Sequence, residues 1–271
     1  MEDIYMENLS IFKDKMIVTW NLNGWLPIRK DIMFGQKLKK ASQEIAFSDQ
    51  QPIIIMLQEM IGGRDRKYID LLERYFEDYK VILPAGFDYH RHSRSIFSVT
   101  LIRKDVLGSY KLFQVDEQLP SRTCCVVAEI DGVQTYIINA HVVQIQNFRN
   151  QASWYIQERK RLHARQWRLL HEFLHENRES NVILGGDLQE GRDGENISMI
   201  RKDGYIMDDW GFPTVKNVFF KEEPIDHLAF SVSAKEIYGA TDLEIMFSVC
   251  DYNSELGAYS DHFPLYNLPM N

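Results

Sequence analysis

Nine short apolar, β-rich runs bounded by turn residues limit what this chain can fold into. They are Met16 to Trp20, Ile53 to Leu57, Lys80 to Leu83, Phe97 to Arg103, Thr123 to Ile130, Gln134 to Val142, Val182 to Leu184, Ile225 to Phe230 and Leu243 to Cys250. Asp131-Gly132 between two of them is a hairpin signal. Helical patterns separate others: Tyr68 to Tyr79 places Ile69, Leu72, Tyr75, Phe76 and Tyr79 on one face. Trp154 to Glu176 aligns Leu162, Leu169, Leu170, Phe173 and Leu174. Strands joined by a hairpin in one place and by helices in another predict mixed sheets with helices packed outside, an α/β layered fold.

The balance of 45% hydrophobic and 26% charged residues over 271 positions suits a globular chain with a sizeable core. No repeat, low-complexity tract or Pro/Gly/Ser linker divides it. A single domain over 1–271 is therefore expected, with a core from about residue 16 to 268 and an N-terminal extension at 1–15. No apolar run approaches the roughly 18 residues needed to cross a bilayer. The first fifteen residues have neither the basic start nor the apolar centre of a secretory signal, so a cytoplasmic protein is expected. Cys124, Cys125 and Cys250 form neither a disulfide framework nor a CxxC pair. The net charge of −8 repels a polyanion weakly at long range, but local field rather than net charge guides a ligand.

Polar sets cluster where the apolar runs end. Asn21-Leu22-Asn23-Gly24 follows the first run, Gln58-Glu59 the second, and Asn139-Ala140-His141 closes the sixth. Gly185-Gly186-Asp187-Leu188-Gln189 follows Val182 to Leu184; Ile225-Asp226-His227 and Ser260-Asp261-His262-Phe263-Pro264 come later. Each alone has a bland reading as a turn, a strand end or a cap. Strand ends are where loops converge in layered folds, so together the six sets predict one cleft lined by carboxylates, amides and imidazoles.

The ordered set WNxNG, QE, NxH, GGDxQ, IDH and SDHFP resembles the endonuclease/exonuclease/phosphatase superfamily. That superfamily includes apurinic endonucleases, deoxyribonuclease I, deadenylases, inositol polyphosphate 5-phosphatases, sphingomyelinases and tyrosyl-DNA phosphodiesterases. The matched motifs run from Trp20 to Pro264, nearly the whole chain. The resemblance implies a four-layered α/β sandwich, two mixed sheets face to face flanked by helices. It implies a phosphoesterase using a divalent metal, Mg2+ or Mn2+, that hydrolyses a phosphodiester, with nucleic acid as the leading substrate and a small phosphate ester as the alternative. Glu59 would be the principal metal ligand, with Asn21 and Asp261 close to the metal and Asn23 near metal and phosphate. Asp187 would orient or activate water. Asp226 would hold His262 against the phosphoryl oxygens, and His141 would assist at the pentacovalent phosphate or the leaving oxygen. The family's GDxN is here GDxQ, so Gln189 carries an amide one methylene longer, and a misplacement of about 1 Å costs on the order of a hundredfold in rate. His141 places the chain nearer the deoxyribonuclease I, deadenylase, phosphatase and tyrosyl-DNA phosphodiesterase branches than the apurinic endonucleases. It does not choose among them, nor does the sequence give an oligomeric state.

Three rival readings compete. His171-Glu172-Phe173-Leu174-His175 is a literal HExxH, the signature of a zinc peptidase. At about 100° per residue both histidines fall opposite the stripe of Leu162, Leu169, Leu170 and Phe173, so a solvated face is expected. Gln189 raises the second, a catalytically weakened binding or scaffold domain. The third concerns substrate contacts. Arg159, Lys160, Arg161, Arg165 and Arg168 read as a charged outer face. Arg91 and Arg94 in Tyr89 to Arg94 are the candidates for contacting a phosphate backbone, and Trp25 and Trp210 for stacking a base.

Overall fold

A computed structural model describes residues 15–23, 31–45, 51–88, 96–145, 151–207, 224–238, 240–242, 262 and 265–269. In chain order the elements are β1 (Ile17–Asn21), α1 (Asp31–Ile45), β2 (Ile54–Ile61), α2 (Lys67–Tyr75), β3 (Tyr79–Ile82), β4 (Ile96–Arg103), β5 (Leu107–Phe113) and β6 (Thr123–Ile130). They continue with β7 (Val133–His141), α3 (Ser153–Glu176), β8 (Val182–Asp187), α4 (Glu195–Lys202), β9 (Ile206–Met207), β10 (Asp226–Phe230), α5 (Val232–Tyr238), β11 (Ala240–Asp242) and β12 (Leu265–Pro269). One sheet has the order β11-β12-β1-β2-β4-β3 and the other β5-β6-β7-β8-β10-β9. The pairs β1–β2 and β7–β8 are parallel and all others antiparallel, so both sheets are mixed.

Side-chain alternation explains the layering. Ile17, Ile54, Met56, Cys124, Val126, Ile137, Ile183 and Leu228 fill the space between the sheets. Their strand neighbours point the other way. Val18, Ile55 and Leu57 pack under Leu38 of α1 and Leu72 of α2, and Cys125, Ile138 and Leu184 under Trp167 of α3 and Ile197 of α4. The result is helix, sheet, sheet, helix, the expected four-layered α/β sandwich. No helix among the described residues is long and apolar enough to cross a membrane. Cys124 and Cys125 are free and buried.

Eight of the nine expected strands lie among the described residues, and each is a strand shifted by no more than a few positions; Leu243 to Cys250 lies outside them. The first expected helix stops at Tyr75. A turn at 76–78 then leads straight into β3, yet Phe76 and Tyr79 stay buried in the cluster the helix serves, so the helical spacing outlives the helix. The expected stripe of the long helix is also rotated. Its buried residues are Gln166, Trp167, Leu170, His171 and Leu174.

A polar stitch crosses the apolar interface. Asn139 on β7 donates to the carbonyls of Leu57 (3.2 Å) and Val99 (2.9 Å) on the other sheet, and its Oδ1 accepts from Gln58 Nε2 at 2.8 Å. Gln58 Nε2 also reaches Thr19 Oγ1 on β1 at 2.9 Å. The β2–β4 register shifts between Leu57 and Met60, so the stitch secures the bulge that carries Glu59. Replacing Asn139 by alanine strips partners from buried polar groups and is expected to cost about 3 kcal/mol. Urea unfolding of the two proteins measures this; a loss below about 0.5 kcal/mol would mean the groups find other partners.

Candidate active site

Strand register assembles half of the site. His141 at the end of β7 sits opposite Asp187 at the end of β8, and Asp187 sits opposite Asp226 at the start of β10. Residues directly paired across strands share a face, so an imidazole and two carboxylates stand side by side. The two glycines before Asp187 are part of β8 rather than a turn. A Cβ at Gly186, where φ is 147°, would lie 1.8 Å from the Ala140 carbonyl oxygen, and one at Gly185 would lie 2.2 Å from Met56 of the other sheet. Only glycine at 186 lets the two strands lie this close, while Gly185 leaves room for the Met56 methyl of the other sheet.

The facing sheet supplies the other half. Asn21 ends β1 and donates from Nδ2 to Asp187 Oδ2 at 2.8 Å, while its Oδ1 accepts the Asn23 backbone N–H at 2.8 Å. Lys37 of α1 donates to the carbonyls of Leu22 and Asn23, fixing the backbone beyond β1. Glu59 occupies the bulge with φ 53°. Asn23 (φ 50°) and Gln189 (φ 56°) share that left-handed backbone, and such strain on residues other than glycine gathers where side chains must be aimed.

The groups converge on His141 and Asp187. His141 Nε2 lies 3.6 Å from Glu59 Oε1 and 3.7 Å from Asp187 Oδ2, and His262 Nε2 lies 3.8 Å from Asp187 Oδ2. His262 donates from Nδ1 to Asp226 at 2.8 Å, and the Trp20 indole N–H holds the His262 carbonyl at 3.0 Å. Burial pushes the Asp187 carboxyl up to about 7; Asp226 and Glu59 add to the rise, and His262 and the Asn21 amide oppose it. Burial also holds His141 well below the ordinary imidazole range, helped by the Arg122, His262 and Arg159 charges. His141 is therefore neutral.

Gln189 reaches back onto Asp187. Its Nε2 lies 2.7 Å from both carboxylate oxygens and its backbone N–H 3.2 Å from Oδ1, while its own Oε1 is buried with no partner among the described residues. The extra methylene folds the amide over the carboxylate as a cap.

Arg122 is the site residue the sequence reading missed. Its Nη1 lies 3.0 Å from His141 Nδ1 and 3.1 Å from Nε2. A guanidinium only donates and needs an unprotonated ring nitrogen; the Glu59 and Asp187 carboxylates 3.6 and 3.7 Å from Nε2 favour the proton there, which assigns Nδ1 as the acceptor. Burial works against the Arg122 charge, and Glu59 and Asp187 support it. A signal existed: from the Asp131-Gly132 turn the β6–β7 register runs outward to Thr123 opposite Ala140, so the next pair is Arg122 with His141. Gln166 of α3 also went unread; it accepts from the Val143 N–H at 3.0 Å and donates to the His141 carbonyl at 3.2 Å.

The structure thus brings together Asn21, Glu59, His141, Asp187, Gln189, Asp226 and His262, with Asn23 at their margin. Asp261, Arg91, Arg94, Trp25 and Trp210 lie outside the described residues. Two expectations need correction. His171 is not on a solvated face: it stacks on Trp167 at 5.5 Å, and its Nε2 meets Asn196 Oδ1 at 3.2 Å, because the face bearing Trp167, Leu170 and Leu174 is the buried one. His175 faces outward to Asp203, so the two histidines of the HExxH do not converge on a zinc. Nor is the basic stretch wholly an outer face. Arg161 and Arg168 pair with Glu158 and Glu172 at the surface, but Arg165 reaches the buried Asp116, and Arg159 donates to the Gln144 carbonyl at 2.7 Å.

The donor chemistry fits a small divalent cation. Among the described residues, the cleft gathers the carboxylates of Glu59 and Asp187 near the Arg122 guanidinium, with Asp226 beside Asp187. Hard oxygen donors of this kind suit magnesium or manganese. Ligand atoms of Asp187, Asp226 and His262 lie within 4.8 Å of one another. Asp226 and His262 are already joined by a hydrogen bond, however, and the Gln189 amide caps Asp187.

No protein-family signature and no curated protein matches the sequence. Solved structures do match the fold. An endonuclease/exonuclease/phosphatase family protein from Bacteroides thetaiotaomicron is 16% identical, with a TM-score of 0.63 over 93% of this chain and 96% of that one. A mannosyl-6-phosphatase from the same organism is 16% identical, with a TM-score of 0.65 over 93% and 98% of the two chains. D. rerio TDP2 complexed with a single-strand DNA product is 16% identical, with a TM-score of 0.60 over 93% and 97%. The fold is therefore that of the endonuclease/exonuclease/phosphatase superfamily, the deoxyribonuclease I-like sandwich.

Proposed function

We propose that the chain is a divalent-metal-dependent phosphoesterase that hydrolyses a phosphodiester, with nucleic acid as its substrate. One observation carries the reading: the register of β7, β8 and β10 lines His141, Asp187 and Asp226 up beside His262, while the β2 bulge turns Glu59 toward them from the other sheet. Glu59 and Asn21 would hold magnesium or manganese, with Asp261 immediately before His262. Such a cation, when bound, neutralises the phosphoryl group. Asp187 orients the attacking water and takes its proton, burial holding its carboxyl above the ordinary carboxylate range. Water reaches it once the Gln189 amide gives way. The water oxygen bonds to phosphorus as the phosphorus–oxygen bond to the leaving group breaks. His141 donates a hydrogen bond from Nε2 to the departing oxygen or to the pentacovalent phosphate, the departing oxygen takes up a proton from solvent as Asp187 returns one to it, and His262, oriented by Asp226, hydrogen-bonds the phosphoryl oxygens.

The DNA product in the TDP2 structure supports nucleic acid as substrate, and the mannosyl-6-phosphatase supports a small phosphate ester as the second reading. Hydrolysis of bis-p-nitrophenyl phosphate with magnesium, manganese or EDTA tests the activity. Metal-dependent turnover is expected, and its absence, with labelled nucleic acids also intact, would leave a narrow-specificity phosphatase or a scaffold with a disabled site. Nucleic-acid binding should weaken steeply with salt, whereas a small ester should bind almost independently of it.

Stability carries a second test. The native Asp187 value of about 7 stands above the roughly 3.9 of an unfolded aspartate. Between those values the native state holds a proton that the unfolded chain has released, so stability falls as pH rises through that window and then levels off. A bound cation favours the ionised form. Without divalent metal the melting temperature is expected to be lower at pH 8 than at pH 5, and magnesium should raise it more at pH 8. Equal magnesium shifts at the two pH values would overturn this.

A further inference from the structure

We infer that the N-terminal turns of α3 form a stacking shelf for a nucleobase flanking the scissile phosphate. The inference rests on the phosphodiesterase reading and names the part of the substrate that reading leaves open. Trp154 is 72% exposed, the most exposed of the large hydrophobic side chains described. An indole so placed adds little to the core and presents a flat apolar surface beside Tyr155.

Trp154 is tied to the site by a continuous run of contacts. Its ring meets Tyr155 edge-on at 5.9 Å, and the Arg159 guanidinium lies 5.9 Å from the Tyr155 ring, with Nη1 donating to the Tyr155 hydroxyl at 3.5 Å. Arg159 Nε holds the Gln144 carbonyl, three residues beyond His141, a span of at most about 10 Å of extended chain. Tyr155 and Arg159 are close enough to Arg122, and Arg159 to His141, to act on their charges. An aromatic pair therefore stands at the rim, with guanidinium groups leading inward to the catalytic imidazole.

A single-stranded nucleic acid matches that order of chemistry. Its base has a flat face for the indole, and its phosphates meet Arg159 and Arg122 on the way to His141. A sugar phosphate offers the anion but no aromatic face. Stacking reads no hydrogen-bond pattern, so the shelf selects for a base without selecting which one.

Anisotropy of a fluorescein-labelled single-stranded ten-mer, measured in EDTA so that turnover plays no part, tests the shelf with wild-type protein, Trp154→Ala, Trp154→Phe and Arg159→Gln. Trp154→Ala is expected to weaken binding roughly ten- to a hundredfold and Trp154→Phe to restore most of it. An abasic ten-mer of equal charge should bind wild type and Trp154→Ala alike. Arg159→Gln should flatten the salt dependence for both strands. Equal affinities of wild type and Trp154→Ala for the base-bearing strand would overturn the shelf, as would abasic binding as tight as base-bearing binding. A dimer-to-monomer change in sedimentation on Trp154→Ala would instead make it a contact between copies. Turnover of bis-p-nitrophenyl phosphate by wild type, run in parallel, reports on the phosphodiesterase reading alone.

Discussion

Glu59→Gln is expected to lower metal-dependent kcat by about a thousandfold while leaving the fold intact. The two side chains have nearly the same shape, and glutamine still fits the bulge beside His141. What changes is charge. Glu59 raises Asp187 but supports Arg122, so the neutral amide removes a repulsion and an attraction together. The variant should therefore melt close to wild type in EDTA, and should lose the rise that magnesium gives. Turnover within tenfold of wild type, or an undiminished magnesium shift, would place the cation elsewhere, the cluster of Asp187, Asp226 and His262 being the first alternative.

The second large effect belongs to the Asp226–His262 pair. A carboxylate accepts the Nδ1–H of His262 and so keeps Nε2 turned to Asp187 and the cleft. Asparagine at 226 offers an N–H as readily as an oxygen, which lets the ring take the other tautomer. Asp226→Asn is expected to cost about a thousandfold in kcat, and His262→Ala about as much. The double variant should be scarcely worse than either alone, because the two side chains act as one unit. Full additivity would mean that Asp226 acts independently of the imidazole.

Much of this architecture was legible because strand ends in layered folds announce themselves. A β-rich run that stops on Asn, Glu, Asp or His marks both the strand and the cleft, and most of the motif residues meet there. What stayed hidden follows from the same physics. β5 went unread because Leu107 to Phe113 is an edge strand, exposed over most of its length, without the alternation a half-buried strand shows. The burial of His171 escaped because a helical wheel weighs leucines, whereas α3 docks on the side where Trp167 and His171 stack. Asn139 read as a site residue, yet its side chain spends its hydrogen bonds sewing the two sheets together. Arg122 carries no motif at all, and only counting outward from the hairpin turn reaches it. That Gln189 caps Asp187 depends on a backbone at φ 56°, which no residue type announces.

The pairing of β12 with β1 has a consequence for how the molecule is made. Ile17 donates its backbone N–H to the Asn267 side chain, 250 residues away, and His262 enters the chain just before that strand. On a ribosome adding about 5–20 residues per second, the outer edge of β1 waits on the order of tens of seconds for its neighbour. During that interval it offers an unpaired row of amides and carbonyls to any passing strand. The nascent chain can hold Glu59, His141 and Asp187 and still lack His262. Synthesis thus delays competence until His262 and β12 have been made, and until then the outer edge of β1 stays open to other strands.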